Sequence, residues 1–128
     1  MVDKARVPVS KQLGDEAEAL ALAHLQGQGL RLVERNYRVA RGPRSRGGEI
    51  DLILRDRDGT LVFVEVRSRR SGLHGGAAAS IGTAKQASLR LAARHYLLRL
   101  PVLPPCRFDV VAIDKGCIEW IPGAFDGA

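Results

Sequence analysis

At 128 residues, 45% of them apolar, the chain is long enough for one domain with a real core and too short for two. Lys and Arg outnumber Asp and Glu by 20 to 14, a formal charge of +6 that suits a polyanionic partner such as nucleic acid and specifies little more. No run approaches the ~18 apolar residues of a membrane helix. The start, MVDKARVPVSKQ, lacks an apolar signal core, and the lone Cys106 and Cys117 sit outside any CxxC. The expectation is a cytoplasmic protein with reduced thiols, no membrane association and no zinc site.

In chain order, residues 1–10 read as a flexible arm and 11–128 as one domain. From Lys11 to about Gly27 the spacing predicts a helix whose apolar stripe is Leu13, Ala17, Leu20, Ala21, His24 and Leu25, stopped by Gly27 and Gly29. Leu30 to Val39 reads as a strand. RGPRSRGG, residues 41–48, reads as a mobile basic loop. GGEIDLILRDRDGTLVFVEVRSRR, residues 47–70, reads as a β-hairpin. A second Gly-rich loop spans 68–82. A second helix runs from Ile81 or Gly82 to Leu100, with Leu89, Ala93, Tyr96, Leu97 and Leu100 buried, and PVLPP ends it. Residues 107–113 and 117–121 are two further strands around the turn Asp114-Lys115-Gly116. The order αβββαββ predicts one α/β domain.

The hairpin raises a question of charge. Centring its turn on Asp58, with Gly59 in the left-handed position, makes opposed residues sum to 116. One face then pairs Ile50 with Val66, Leu52 with Val64 and Leu54 with Val62. The other pairs Glu49 with Arg67, Asp51 with Glu65 and Ile53 with Phe63. Directly opposed carboxylates destabilise a sheet unless one keeps its proton or both surround a cation. Hard oxygen ligands of this kind suit Mg²⁺ or Mn²⁺. Arg67, two residues from Glu65, shares its face, and a fixed cation beside paired carboxylates suits phosphoester hydrolysis. The plainer alternative is a solvated antiparallel face with Arg67 pairing Glu49 and Asp51.

GGEIDLI, a turn and FVEVR resemble the (P)D-(D/E)xK motif of the restriction-endonuclease-like superfamily. The ordered set around them is similar to the small YraN-like proteins, which look like Holliday-junction-resolvase-type nucleases. That set comprises Gly14, Glu18 and Ala21 in a GxxxExxA spacing, the Leu25–Gly29 step, the pair Arg35-Asn36, the GGAAAS loop, Lys85-Gln86 and RFDVV. It spans about residues 12–125. The resemblance implies a restriction-endonuclease-like mixed β-sheet flanked by helices. It implies Asp51 and Glu65 as metal-binding acids and Glu18 as a third acid approaching the metal. On a helical wheel Glu16 and Glu18 flank the apolar stripe symmetrically, so only the resemblance selects Glu18.

Arg67 stands where the superfamily usually has Lys. It keeps the charge and can grip phosphate bidentately, but it cannot act as a general base. Lys85 lies four residues before Leu89 at the N-terminal end of the second helix's buried stripe, so Lys85 and Gln86 are expected to reach the site or a bound phosphate. Arg38, Arg41, Arg44, Arg46, Arg69 and Arg70 are candidates for DNA phosphate contacts. Asp109 is expected to be a buried, hydrogen-bonded strand acid and Trp120 a core residue; His24, His74 and His95 carry no catalytic expectation.

Two functions follow. One is a Mg²⁺- or Mn²⁺-dependent DNA endonuclease acting on branched or single-stranded substrate, dimeric by analogy with resolvases. The other is a non-catalytic nucleic-acid-binding protein on the nuclease fold. A dimerising adaptor is a third, duller possibility.

Overall fold

The computed structural model describes residues 9–69 and 81–127. Helix α1 spans Val9–Gly27, strands β1, β2 and β3 span Arg31–Val39, Gly48–Arg55 and Leu61–Arg69, helix α2 spans Thr83–Leu97, and strands β4 and β5 span Cys106–Asp114 and Cys117–Phe125. The order αβββαββ is the one the sequence implies. The strands form one sheet in the order β1-β2-β3-β4-β5. Of these neighbours only β3 and β4 run parallel, because α2 crosses over between them; the others are antiparallel.

Each helix covers one face of the sheet. Ala17, Ala21 and Leu25 of α1 pack on Leu52, Leu54, Val62, Val64, Val111 and Ile113. Leu89, Ala92, Ala93 and Tyr96 of α2 pack on Ile53, Leu61, Phe63 and Phe108. Leu20 departs from the expected stripe: it is 47% exposed, while Leu22, outside that stripe, packs partly against the core. The end of α1 is a Schellman cap. Leu30 N–H donates to Leu25 O at 3.1 Å and Gly29 N–H to Gln26 O at 3.0 Å, with Gly29 at φ +98°. Gly29 is thus the stop, and Gly27 remains helical.

The β2–β3 hairpin has the expected register over Leu52↔Val64, Ile53↔Phe63, Leu54↔Val62 and Arg55↔Leu61, with Gly59 at φ +90°. Its pairing then stops. Beyond Leu52, β2 follows β1 as far as Gly48, while beyond Val64, β3 follows β4 as far as Arg69. The expected pairs Ile50–Val66, Asp51–Glu65 and Glu49–Arg67 are therefore not ladder pairs. The cause is at Asp51, whose Oδ2 accepts the Val66 N–H at 2.8 Å in the place of a main-chain carbonyl. Ile50 changes sides, packing under α2 with Ile53 rather than under α1 with Leu52. On the other flank, pairing with β1 runs Arg35↔Leu52 and then Tyr37↔Ile50, passing over Asn36 and Asp51; Asn36 sits at φ +52°.

Residues 41–48 are not a loose loop. Gly42 N–H donates to Ser45 O at 2.9 Å and Ser45 N–H to Gly42 O at 3.2 Å, closing a tight turn over Pro43 and Arg44. Gly47, at φ +77°, donates its N–H to Ser45 Oγ at 3.1 Å. Gly48 lets α2 approach: a Cβ there would run into Ser88 O and Ala92. These two glycines serve geometry and packing rather than mobility. At the far edge, β5 continues past the expected Ile121 to Phe125, because an edge strand tolerates Pro122 and Phe125 stacks on Phe108 at 4.9 Å. Helix α2 ends at Leu97 and passes through a turn to Leu100.

Candidate functional site

Where β2 and β3 part, the sheet has a notch, and the candidate acids meet there. Glu65 lies on β3 facing α2 and is only 5% exposed. Its Oε2 is 3.4 Å from Lys85 Nζ, presented by the first turn of α2. Its Oε1 is buried and has no hydrogen-bond partner among the described residues. Burial, then the charge of Asp51, push the Glu65 carboxyl up to about 8; Lys85 opposes the shift, and a shared hydrogen bond with Asp51 adds to it.

Glu18 comes from α1 on the other face. It is half-buried, and its carboxyl is raised by burial and by Asp51, while the Asn36 side chain and the charge of Arg35 hold it down. The Arg35 guanidinium lies 4.0 Å away. Glu16 is exposed, so the fold separates the two helix acids that the helical wheel left equivalent. The alternation that gives α1 its Ala17–Ala21–Leu25 strip turns Glu18 toward the notch and Glu16 toward solvent.

A divalent cation would fit here by donor chemistry. Two carboxylates present oxygen donors, and the buried Glu65 Oε1 is an acceptor that nothing in the described protein satisfies. Among the described residues no three His, Cys, Asp or Glu side chains converge into a ready-made cage, so the arrangement is a carboxylate pair with Glu18 beside it.

The remaining candidates divide. Arg67 is half-buried opposite Ala112 of β4 and makes no ion pair with Asp51 or Glu65 among the described residues. The Gln86 amide is used at the start of α2: it donates to Ile81 O, just before the helix, at 3.1 Å and accepts from Arg90 at 3.1 Å. Arg41, Arg44 and Arg46 are exposed around an open concavity of about 430 Å³ lined by residues 41–46, with no carboxylate among them. Arg38 is tied to Glu49 at 3.4 Å. Backbone pairing carries β3 to Arg69; Arg70, His74 and most of the second Gly-rich loop lie outside the described residues. His95 Nδ1 meets the Tyr37 hydroxyl at 2.6 Å, and His24 packs edge-on to Trp120.

Sequence reasoning passed over the structural part of Asn36. Its only signal was membership of the Arg35-Asn36 pair; a left-handed residue inside a strand has no periodicity signature.

A mixed five-stranded sheet between two helices, forked where half-buried Asp51 meets buried Glu65 with a lysine against it, has the restriction-endonuclease-like architecture. The model of the uncharacterised protein family UPF0102 matches residues 17–113. A UPF0102 protein of Methylibium petroleiphilum is 62% identical over 119 residues, covering 93% of this chain and 98% of its own. One from Paracidovorax citrulli is 60% identical, covering 95% and 88%. One from Albidiferax ferrireducens is 58% identical, covering 96% and 94%. The chain belongs to UPF0102, the YraN-like family of the restriction-endonuclease-like superfamily. Among the described residues no helix is long and apolar enough to cross a membrane.

Proposed function

We propose that the protein is a Mg²⁺- or Mn²⁺-dependent endonuclease that hydrolyses phosphodiester bonds in DNA. The observation that carries this reading is the buried Glu65, with Asp51 and Lys85 against it and one carboxylate oxygen unsatisfied. Burying a polar atom without a partner costs about 1–3 kcal/mol, which a bound cation would offset.

Asp51 and Glu65 would hold the ion through their carboxylate oxygens, with Glu18 alongside. The bound ion would supply an acidified water and neutralise charge on the phosphoryl oxygens. Lys85 brings a compact cation to the edge of the carboxylate pair, 39% exposed and free to turn from Glu65 to an incoming phosphoryl oxygen. In this reading Lys85 takes the part that the strand lysine takes in the superfamily, and Arg67 contributes only charge. The net charge of +6 and the Arg41–Arg46 concavity support an extended phosphate backbone as substrate, held by contacts that position without reading sequence.

One observation favours the non-catalytic alternative: Arg67 occupies the usual lysine position and does not touch the acids. The deciding experiment incubates labelled four-way junction, duplex and single strand with Mn²⁺, beside Glu65→Ala. Cleavage by the wild type alone establishes the nuclease and ranks its substrates. Binding by both proteins with no cleavage by either establishes the alternative.

A further inference from the structure

The connection from α2 to β4 shows water more than a connection needs to. Leu97 and Leu100 turn inward against the core beneath α2, while Leu98, Val102 and Leu103 stand 85%, 76% and 72% exposed. Scattered exposed aliphatics are ordinary, but these fall together within residues 98–103 and make an apolar knuckle. The segment is held. Leu98 N–H donates to Arg94 O at 3.2 Å, and Leu61 N–H, at the start of β3, donates to Pro105 O at 2.8 Å. Pro101, Pro104 and Pro105 stiffen the stretch between. The knuckle is thus ordered before any partner arrives, which lowers the entropy cost of docking on it.

Its surround is basic. Arg31 and Arg55 are directly opposed across β1 and β2, a like-charge pair that destabilises a sheet. Arg55 lies on the α2 side, by alternation from Ile53 and by pairing with Leu61, and Leu61 neighbours Cys106, where the connection ends. Arg94 is exposed one helical turn before Leu98. Among the described residues no carboxylate lies within ion-pair distance of Arg31, Arg55 or Arg94. The acids at this end are engaged elsewhere: Glu34 with Arg99 at 3.4 Å, Asp56 with Arg107 at 2.8 Å, and Asp58 with the Thr60 N–H at 3.0 Å.

We propose that the knuckle and its arginines are a docking surface for an acidic segment of a partner protein, one that carries apolar side chains among its carboxylates. The apolar side chains cover Leu98, Val102 and Leu103, and the carboxylates meet Arg31, Arg55 and Arg94. Charge complementarity selects this occupant. A second copy of the chain would set one +6 surface against another. A phosphate backbone would leave the aliphatics uncovered. A bilayer surface fits less well, because residues 98–105 hold no Trp, Tyr or Phe of the kind that anchors proteins at the lipid interface. The surface lies at the end of α2 and the start of β3, whereas Lys85 opens α2 and Glu65 lies further along β3. A bound partner therefore leaves the notch open, and the proposal stands apart from whether the notch cleaves DNA.

The test adds the full chain to fluorescein-labelled synthetic peptides and follows their anisotropy. One peptide alternates Asp and Glu with Leu and Phe. A second replaces its apolar residues by Ser, and a third replaces its acids by Lys. Phosphatidylglycerol vesicles are tested alongside by sedimentation. The first peptide is expected to bind at least about tenfold more tightly than either control, and more weakly as salt rises. Leu98→Ser, Val102→Ser and Leu103→Ser together should remove that advantage with the melting temperature unchanged, since the side chains are exposed. Arg31→Gln with Arg94→Gln should weaken binding and flatten its salt dependence. A first peptide that does not bind, or binds no better than its Ser control, overturns the proposal and leaves a plain basic surface. A triple Ser variant that binds as the wild type does also overturns it. So does one that melts several degrees lower, because the aliphatics are then structural. Vesicle binding that needs the three aliphatics, without peptide binding, assigns the surface to lipid instead.

Discussion

Two acids are buried in neighbouring strands of this sheet, and they are treated in opposite ways. Asp109 on β4, opposite Val64, is 0% exposed, and both its oxygens are used. Arg107 Nε donates to them at 3.0 and 3.2 Å, Trp120 Nε1 at 2.9 Å and Gly123 N–H at 2.9 Å. The other end of Arg107 holds Asp56 at 2.8 Å, tying the β2–β3 turn to the β4–β5 edge. Glu65 on β3 has one cation at 3.4 Å, a second carboxylate beside it and an oxygen, Oε1, that finds no hydrogen-bond partner among the described residues. A carboxylate surrounded by donors stabilises a fold; one left short of them while buried is kept at a cost to the fold. The Asp109 network is a joint, and the Glu65 notch is a socket.

The largest effect that would break this contrast lies at the joint. Asp109→Ala strands the Trp120 and Gly123 donors and the buried side of Arg107, and should cost about 3–5 kcal/mol of stability. Chemical denaturation measures it, and the fraction still folded should bind Mn²⁺ as the wild type does. Glu65→Gln goes the other way. It removes a buried charge next to Asp51, so the metal-free protein should be at least as stable as the wild type at pH 8 while losing cleavage. A loss of stability like that of Asp109→Ala would make Glu65 a second joint.

The pH dependence sharpens the same point. Unfolded, the Glu65 carboxyl titrates near its ordinary 4.5; folded, at about 8. Between those values the folded chain binds the extra proton, so this contribution to stability is complete below about pH 4.5 and is lost as pH rises through 8. Metal-free melting temperatures should therefore fall across that window in the wild type and fall less in Glu65→Gln. Smaller still, Lys85→Ala should change metal-free stability by less than about 1 kcal/mol, because the pair is partly solvated, yet impair cleavage strongly. Replacing Arg41, Arg44 and Arg46 by Gln should leave stability unchanged. It should flatten the salt dependence of duplex binding by about 0.9 in log–log slope for each DNA phosphate no longer neutralised.

Much of the fold was legible because its signals are local and periodic. The alternation in LILRDRDGTLVFV set the hairpin register, and Gly59 set its turn. The stripe Leu89–Tyr96 set α2. What did not follow from pattern depends on how strands neighbour each other. Alternation predicts that Ile50 stays with Leu52, and it fails where Asp51 displaces a ladder bond. Gly47 and Gly48 look like flexible loop residues until α2 is laid over Gly48. The acids of the site were nameable from the GEID and VEV contexts and their spacing. Asp109 was readable in RFDVV as a buried, hydrogen-bonded strand acid, and it is one; the unmet oxygen of Glu65 was not readable in FVEVR, because unmet hydrogen bonds are a tertiary property.

The most direct measurement is calorimetric titration of the metal-free protein with Mn²⁺ at pH 7 in two buffers of different ionisation enthalpy. If the notch is a socket whose Glu65 holds a proton until the cation arrives, binding should be saturable and release close to one proton per ion, and both signals should vanish in Asp51→Asn. Binding heat that is absent, or that persists unchanged in Asp51→Asn, would contradict the account.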